Sequence, residues 1–206
     1  IPGAADFRLG YPAADAAAWL PAAGTWTVAG GVYTGSATSP AWSRFGTSAR
    51  SDYTLQARVR VEGDGSGNLV FRAQDSSHYY YLYASAAAGT LELRKRQGEP
   101  QTTLAAGGEI AGAVRTRWHT YRVEVRSSQI RVWADGEPRF DVVDVASPYL
   151  SGAVGLRVEN ATLRADDVVV YDCSEPVTDA PLQVAPVPFG ARCVPNPCNP
   201  STTVEL

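Results

Sequence analysis

Polar and apolar residues alternate along most of this chain, and the alternation has a period of two from about residue 26 to residue 172. That period belongs to strands with one face buried and one face wet. It predicts strands near Trp26–Val28, Gly31–Thr34, Tyr53–Val61, Asn68–Gln74, Tyr79–Ala84, Thr90–Lys95, His119–Arg126, Gln129–Ala134, Ala153–Glu159 and Arg164–Tyr171. Between them stand Asp64-Gly65-Ser66-Gly67, Asp75-Ser76-Ser77, Ala88-Gly89, Ser127-Ser128 and Asp135-Gly136, residue types that a chain reversal needs. Short strands at regular spacing imply an all-β, two-sheet antiparallel sandwich. The one helix-like stretch, Ala13–Leu20, is short and Ala-rich, and is expected to form a turn or two on the surface.

The pattern stops at Cys173, so the sandwich is assigned to residues 1–173. Residues 174–206 read as an extended tail: seven of the chain's fourteen prolines lie there, and proline lacks the N–H that a central strand needs. Ser201–Leu206 regains strand-like character without a partner of its own, and could add a strand to the sheet edge of a neighbour.

Composition narrows the function classes. Net charge is −3 over 206 residues and there is no basic block, which argues against nucleic acid as a partner. No apolar run is long enough to span a membrane. The sequence does not open on Met, which fits either a processed, secreted protein or a piece of a longer chain. Cys173, Cys193 and Cys198 allow at most one internal disulfide: Cys193 with Cys198, or Cys173 with one of the tail cysteines. They do not form a zinc pattern.

Four segments carry a resemblance. They are Trp26–Gly35; Leu69–Asp75 with Tyr79–Leu82; Trp118–Val125 with Ile130–Gly136; and Gly152–Val158 with Asp166–Val170. In this order they resemble the laminin G-like, concanavalin A-like jelly rolls of bacterial extracellular glycan-associated proteins. The resemblance implies a jelly-roll sandwich whose concave sheet binds glycan. It also implies Ca²⁺ between the first and last strands, where Asp6, Asp166 and Asp167 would be the ligands. Residues 194–204 resemble the opening of a type IX secretion C-terminal sorting domain, with Cys198 where that family shows Phe.

Alternation selects a candidate sugar face. With Asp75–His78 as the turn, Gln74 is expected opposite Tyr79 and Arg72 opposite Tyr81. Phe71, Ala73, Tyr80 and Leu82 then share the core face, and Arg72, Gln74, Tyr79, Tyr81 and Tyr83 the other. Glu92 and Arg94 follow on the next strand, and Trp133 and Arg157 take outward positions on theirs. Aromatic rings stack on the apolar face of a sugar ring while planar polar groups bond its hydroxyls.

Catalytic signatures are weak. The Glu-x-Asp-x-x-Glu pattern of jelly-roll glucanases and the Gln-x-His and Tyr-x-Lys patterns of jelly-roll alginate lyases are absent. Of the two histidines, His78 falls in a turn and His119 reads as structural. The expectation is therefore a secreted, non-catalytic carbohydrate-binding or adhesion module at the cell surface or outside the cell. The alternatives are a subunit of an extracellular assembly whose tail packs on a neighbouring copy, and a polysaccharide hydrolase or lyase.

Overall fold

The computed structural model describes residues 7–9, 19–109 and 117–172. Those residues form thirteen strands and no helix. They are β1 (Phe7–Leu9), β2 (Trp19–Pro21), β3 (Thr25–Ala29), β4 (Val32–Ala37), β5 (Ala41–Arg50), β6 (Tyr53–Ala73), β7 (His78–Ser85), β8 (Thr90–Gln97), β9 (Thr102–Glu109), β10 (His119–Arg126), β11 (Gln129–Ala134), β12 (Glu137–Val143) and β13 (Gly152–Asp172). All pairings are antiparallel.

Two long strands organise the jelly-roll sandwich. The first half of β6 and the second half of β13 lie in one sheet, ordered β12-β11-β10-β6-β13-β4-β3, with β1 also on β13. Their other halves lie in a second sheet, ordered β2-β5-β13-β6-β7-β8-β9. Inward residues of both sheets, such as Leu55, Val61, Val123 and Ile130 facing Leu69, Tyr80, Leu93 and Leu156, make one core. Burial of apolar side chains there is the main source of stability.

Asp64–Gly67 is therefore not a reversal. It is the point where β6 bends from one sheet into the other, opposite a register shift at Glu159–Ala161 in β13. Gly65 is required at the crossing: a Cβ there would overlap the Glu159 carbonyl oxygen. Gly65→Ala should cost about 3 kcal/mol, the upper end for an overpacked site, read as a lowered melting temperature.

The alternation does not signal β2, β5, β9 and β12, and β1 is expected only from the resemblance that puts Asp6 on a first strand. Trp19 and Leu20, expected at the end of a helix, lie in β2; residues 13–18 are outside the described residues. Cys173, Cys193, Cys198 and the tail from residue 174 are also outside them.

One end of the sandwich is fastened by buried charge. Lys95 Nζ donates to Asp144 Oδ2 (2.8 Å) and to the carbonyls of Ala146 (2.6 Å) and Ser147 (2.9 Å). Tyr80 Oη donates to the same Asp144 oxygen at 2.6 Å and accepts the Tyr149 amide at 3.0 Å. The loop between β12 and β13 is thus held against the second sheet.

Candidate functional site

The outer face of the second sheet carries an array of rings and ion pairs. Register aligns Trp42 with Arg157, Arg157 with Asn68, Asn68 with Tyr83, and Tyr83 with Glu92. The adjacent row runs Arg44, Gly155, Val70, Tyr81, Arg94. Tyr79 and Arg96 pair beyond it. Gly155, Val70 and Ala153 form a small-residue floor, and Val70 and Ala153 cluster with Tyr79, Tyr81, Trp42 and Tyr83.

The rings form a ladder. Trp42 stacks on Tyr79 with centroids 6.3 Å apart, Tyr79 meets Tyr81 at 5.5 Å, and Tyr81 meets Tyr83 edge-on at 6.5 Å. Arginines lie across the tyrosines: Arg94 over Tyr83 (3.9 Å), Arg157 over Tyr81 (5.6 Å) and Arg96 over Tyr79 (6.0 Å). This cover explains why Tyr79 and Tyr81 are buried although they face away from the core. Burial raises the Tyr81 phenol pKa, partly offset by a hydrogen bond from Arg94, so the ring stays a neutral donor.

Each of these arginines holds a carboxylate. Arg94 Nε donates to Glu92 Oε2 at 2.9 Å, Arg157 reaches Glu159 at 2.7 Å, and Arg96 reaches Glu99 at 2.7 Å. Burial alone would lower the Arg94 pKa; the bonds to Glu92 and Tyr81 outweigh it and raise it. The face thus offers charge-assisted donors and acceptors side by side, with near-zero net charge across the three pairs.

Of the residues selected from sequence, Tyr79, Tyr81, Glu92, Arg94 and Arg157 come together here. Three do not. Arg72 has a positive φ of 48°, which adds a residue to the β6–β7 connection and breaks the alternation. The ladder pairs Val70, not Arg72, with Tyr81, two residues from the expected register. The Arg72 guanidinium is fully buried and donates to the carbonyls of Ser51, Ser127 and Tyr149 and to Asp52. It ties loops together at the sandwich end. Gln74 sits in the exposed turn and donates to the Ser151 carbonyl. Trp133 is outward, but on β11 of the other sheet, where Arg122 covers its ring at 3.8 Å.

Trp42, Arg44, Arg96 and Glu159 were missed. The signal for Trp42 and Arg44 was present in Ala41-Trp42-Ser43-Arg44-Phe45, which alternates once Ser43 is counted as a core residue. Ser43 is buried because its hydroxyl bonds Tyr33 Oη at 2.7 Å.

β1 does lie against the end of β13, with Phe7 opposite Val170. Asp166 borders a register shift in β13 and Asp167 lies within it, and Arg58 is 3.6 and 3.9 Å from them. Asp6 lies outside the described residues. No group of three metal-binding side chains occurs among the described residues.

A family model described as the 3-keto-alpha-glucoside-1,2-lyase-like domain matches residues 12–170. The chain belongs to this family. Solved structures share the lyase-like domain's fold at low identity. A carbohydrate-binding module, CBM66, from Bacillus subtilis superposes with a TM-score of 0.68 at 19% identity, covering 75% of this chain and 96% of that one. A Bacillus subtilis protein with a galectin-like fold gives 0.64 at 15% identity over 83% and 96%. The Bacillus licheniformis β-glucanase gives 0.61 at 10% identity over 83% and 98%. No curated protein matches the sequence. Among the described residues no helix is long and apolar enough to cross a membrane.

Proposed function

We propose that this lyase-like domain is a carbohydrate-binding module that holds a glycan on the outer face of its second sheet. The observation that carries the reading is the convergence there of three Arg–Glu pairs with Trp42 and three tyrosines. The fold neighbours include a carbohydrate-binding module, which supports it. Vicinal hydroxyls of a sugar find a donor and an acceptor a hydrogen bond apart, and the half-buried Trp42 supplies apolar surface. Neither histidine lies on this face, and Glu92 and Glu159 are each engaged by an arginine. A holding role therefore suits it better than proton transfer.

Titration with soluble glucans and fructans, followed by calorimetry, tests the proposal. Arg94→Ala should weaken binding about tenfold or more, the worth of a charge-assisted hydrogen bond. Unchanged affinity in a folded Arg94→Ala variant would move the site elsewhere.

The family match favours a second reading, elimination on a 3-keto-glycoside. A keto group at C3 acidifies the C2 proton; a base removes it, the C1–O bond breaks, and the released alkoxide takes up a proton. Glu92 or Glu159 would be the base. Product formation from a 3-keto-disaccharide, lost in Glu92→Gln or Glu159→Gln, would establish that reading.

A further inference from the structure

We propose a second, independent sugar site in the groove at the corner of the sandwich, which takes a small neutral saccharide. The groove has a volume of about 570 Å³, within the roughly 300–1,000 Å³ of small-molecule sites. It opens where β6 and β13 pass from one sheet to the other, beside the open end of the β3–β4 hairpin, where Thr25 pairs with Ser36. The crossing makes the space: Gly63 (φ 102°) and Asn160 (φ 47°) turn the two strands away from regular pairing.

The lining is a set of hydroxyls and one carboxylate, including Thr25, Ser36, Thr38 and Thr162 with Asn160 and Glu62. Ser36 and Thr162 hydroxyls stand 3.2 Å apart, on neighbouring strands. Glu62 Oε1 accepts from Arg60 at 2.9 Å and from Arg164 at 3.0 Å. The two arginines fix the carboxylate and more than offset its charge, and among the described residues no bond engages Oε2 of this groove-lining side chain.

The chemistry of the lining excludes other ligands. Among the described residues no large apolar side chain contributes, so an apolar ligand would bury nothing favourable. One carboxylate cannot make a divalent-cation cage. Among the described residues no cation lines the groove, and Arg60 and Arg164 are committed to Glu62, so an anion gains no partner. A neutral polyol matches it: its hydroxyls donate to Glu62 Oε2 and Asn160 and exchange bonds with the Ser and Thr hydroxyls. Without an aromatic platform, the groove recognises hydroxyl pattern and suits one or two sugar rings. This site differs from the outer face, whose residues it does not share.

Amide spectra recorded while sucrose, trehalose and cellobiose are titrated to millimolar concentrations test the proposal, with glucuronic acid as the charged control. At least one disaccharide should shift the amides of Gly24, Ser36, Gly63 and Ala161 saturably, and glucuronic acid should shift them less. Asn160→Gly keeps a residue at ease with positive φ and should weaken the response about fivefold. Glu62→Gln should weaken it about tenfold, as removal of a charged acceptor. The Trp42 indole N–H reports separately on the outer face, so failure of one site does not mask the other. Absence of saturable shifts at the groove amides, equal responses in both variants, or preference for glucuronic acid would overturn the proposal.

Discussion

Replacing Lys95 with alanine should destabilise the domain by about 3–5 kcal/mol, because it leaves Asp144 buried without its counter-charge. For a chain of this size the melting temperature should fall on the order of 10 °C. Lys95 is the chain's one lysine, and both it and Asp144 are 4% exposed. Breaking the pair also frees the Ala146 and Ser147 carbonyls and loosens the loop that Tyr80 and Arg72 clamp from the same side. A pH dependence follows. Burial alone would raise the Asp144 pKa, but bonds from Lys95, Tyr80 and the Ala146 amide outweigh it and hold it below the usual carboxylate range. A depressed carboxylate contributes stability that is present above its unfolded pKa of about 4 and lost as pH falls through its lower folded value. The parent protein should therefore lose stability below about pH 4, and Asp144→Asn should flatten that part of the profile. A Lys95→Ala melting temperature equal to that of the parent would show that the pair is not what fastens the loop.

Most of the fold was legible because the core faces of the strands alternate cleanly. β10 and β11 were read to the residue, since Ser127-Ser128 is a true two-residue connection between them. β6 and β13 were each read in part, as two strands apiece. Gly and Asp at 63–67 look like a reversal, yet here they serve close passage of one strand over another, and a one-dimensional pattern does not separate those two uses of glycine. Parity carried the site: it put Tyr79, Tyr81, Glu92, Arg94 and Arg157 outward, and the two-residue error in register left parity intact. What parity does not reveal is which sheet a strand joins, hence the misplacement of Trp133. Nor does it survive a residue such as Arg72, whose backbone leaves the extended region. Trp42 was lost because Ser43 is a polar residue in a core position, satisfied by Tyr33 Oη across the sequence gap.

That missed tryptophan should matter most for binding. Trp42→Ala is expected to weaken glycan binding on the outer face by roughly thirtyfold, the loss of an aromatic anchor worth about 2 kcal/mol. The tyrosine rings of this face are covered by guanidinium groups, so a sugar reaches them only from the edge. Among the described residues no arginine lies over Trp42; it leans on Tyr79 and on the cluster of Val70, Ala153 and Tyr81. It is therefore the apolar surface on which a sugar ring rests while the Arg–Glu pairs take its hydroxyls. Trp42→Phe should retain part of the affinity. Arg94→Ala and Trp42→Ala act on one ligand from different sides, so their combined effect should depart from additivity by at least about 0.5 kcal/mol. Calorimetric titration of the four proteins of that cycle measures the coupling. Full additivity, together with an undiminished affinity in Trp42→Ala, would place the glycan off this face, and would leave the corner groove as the sugar site of the domain.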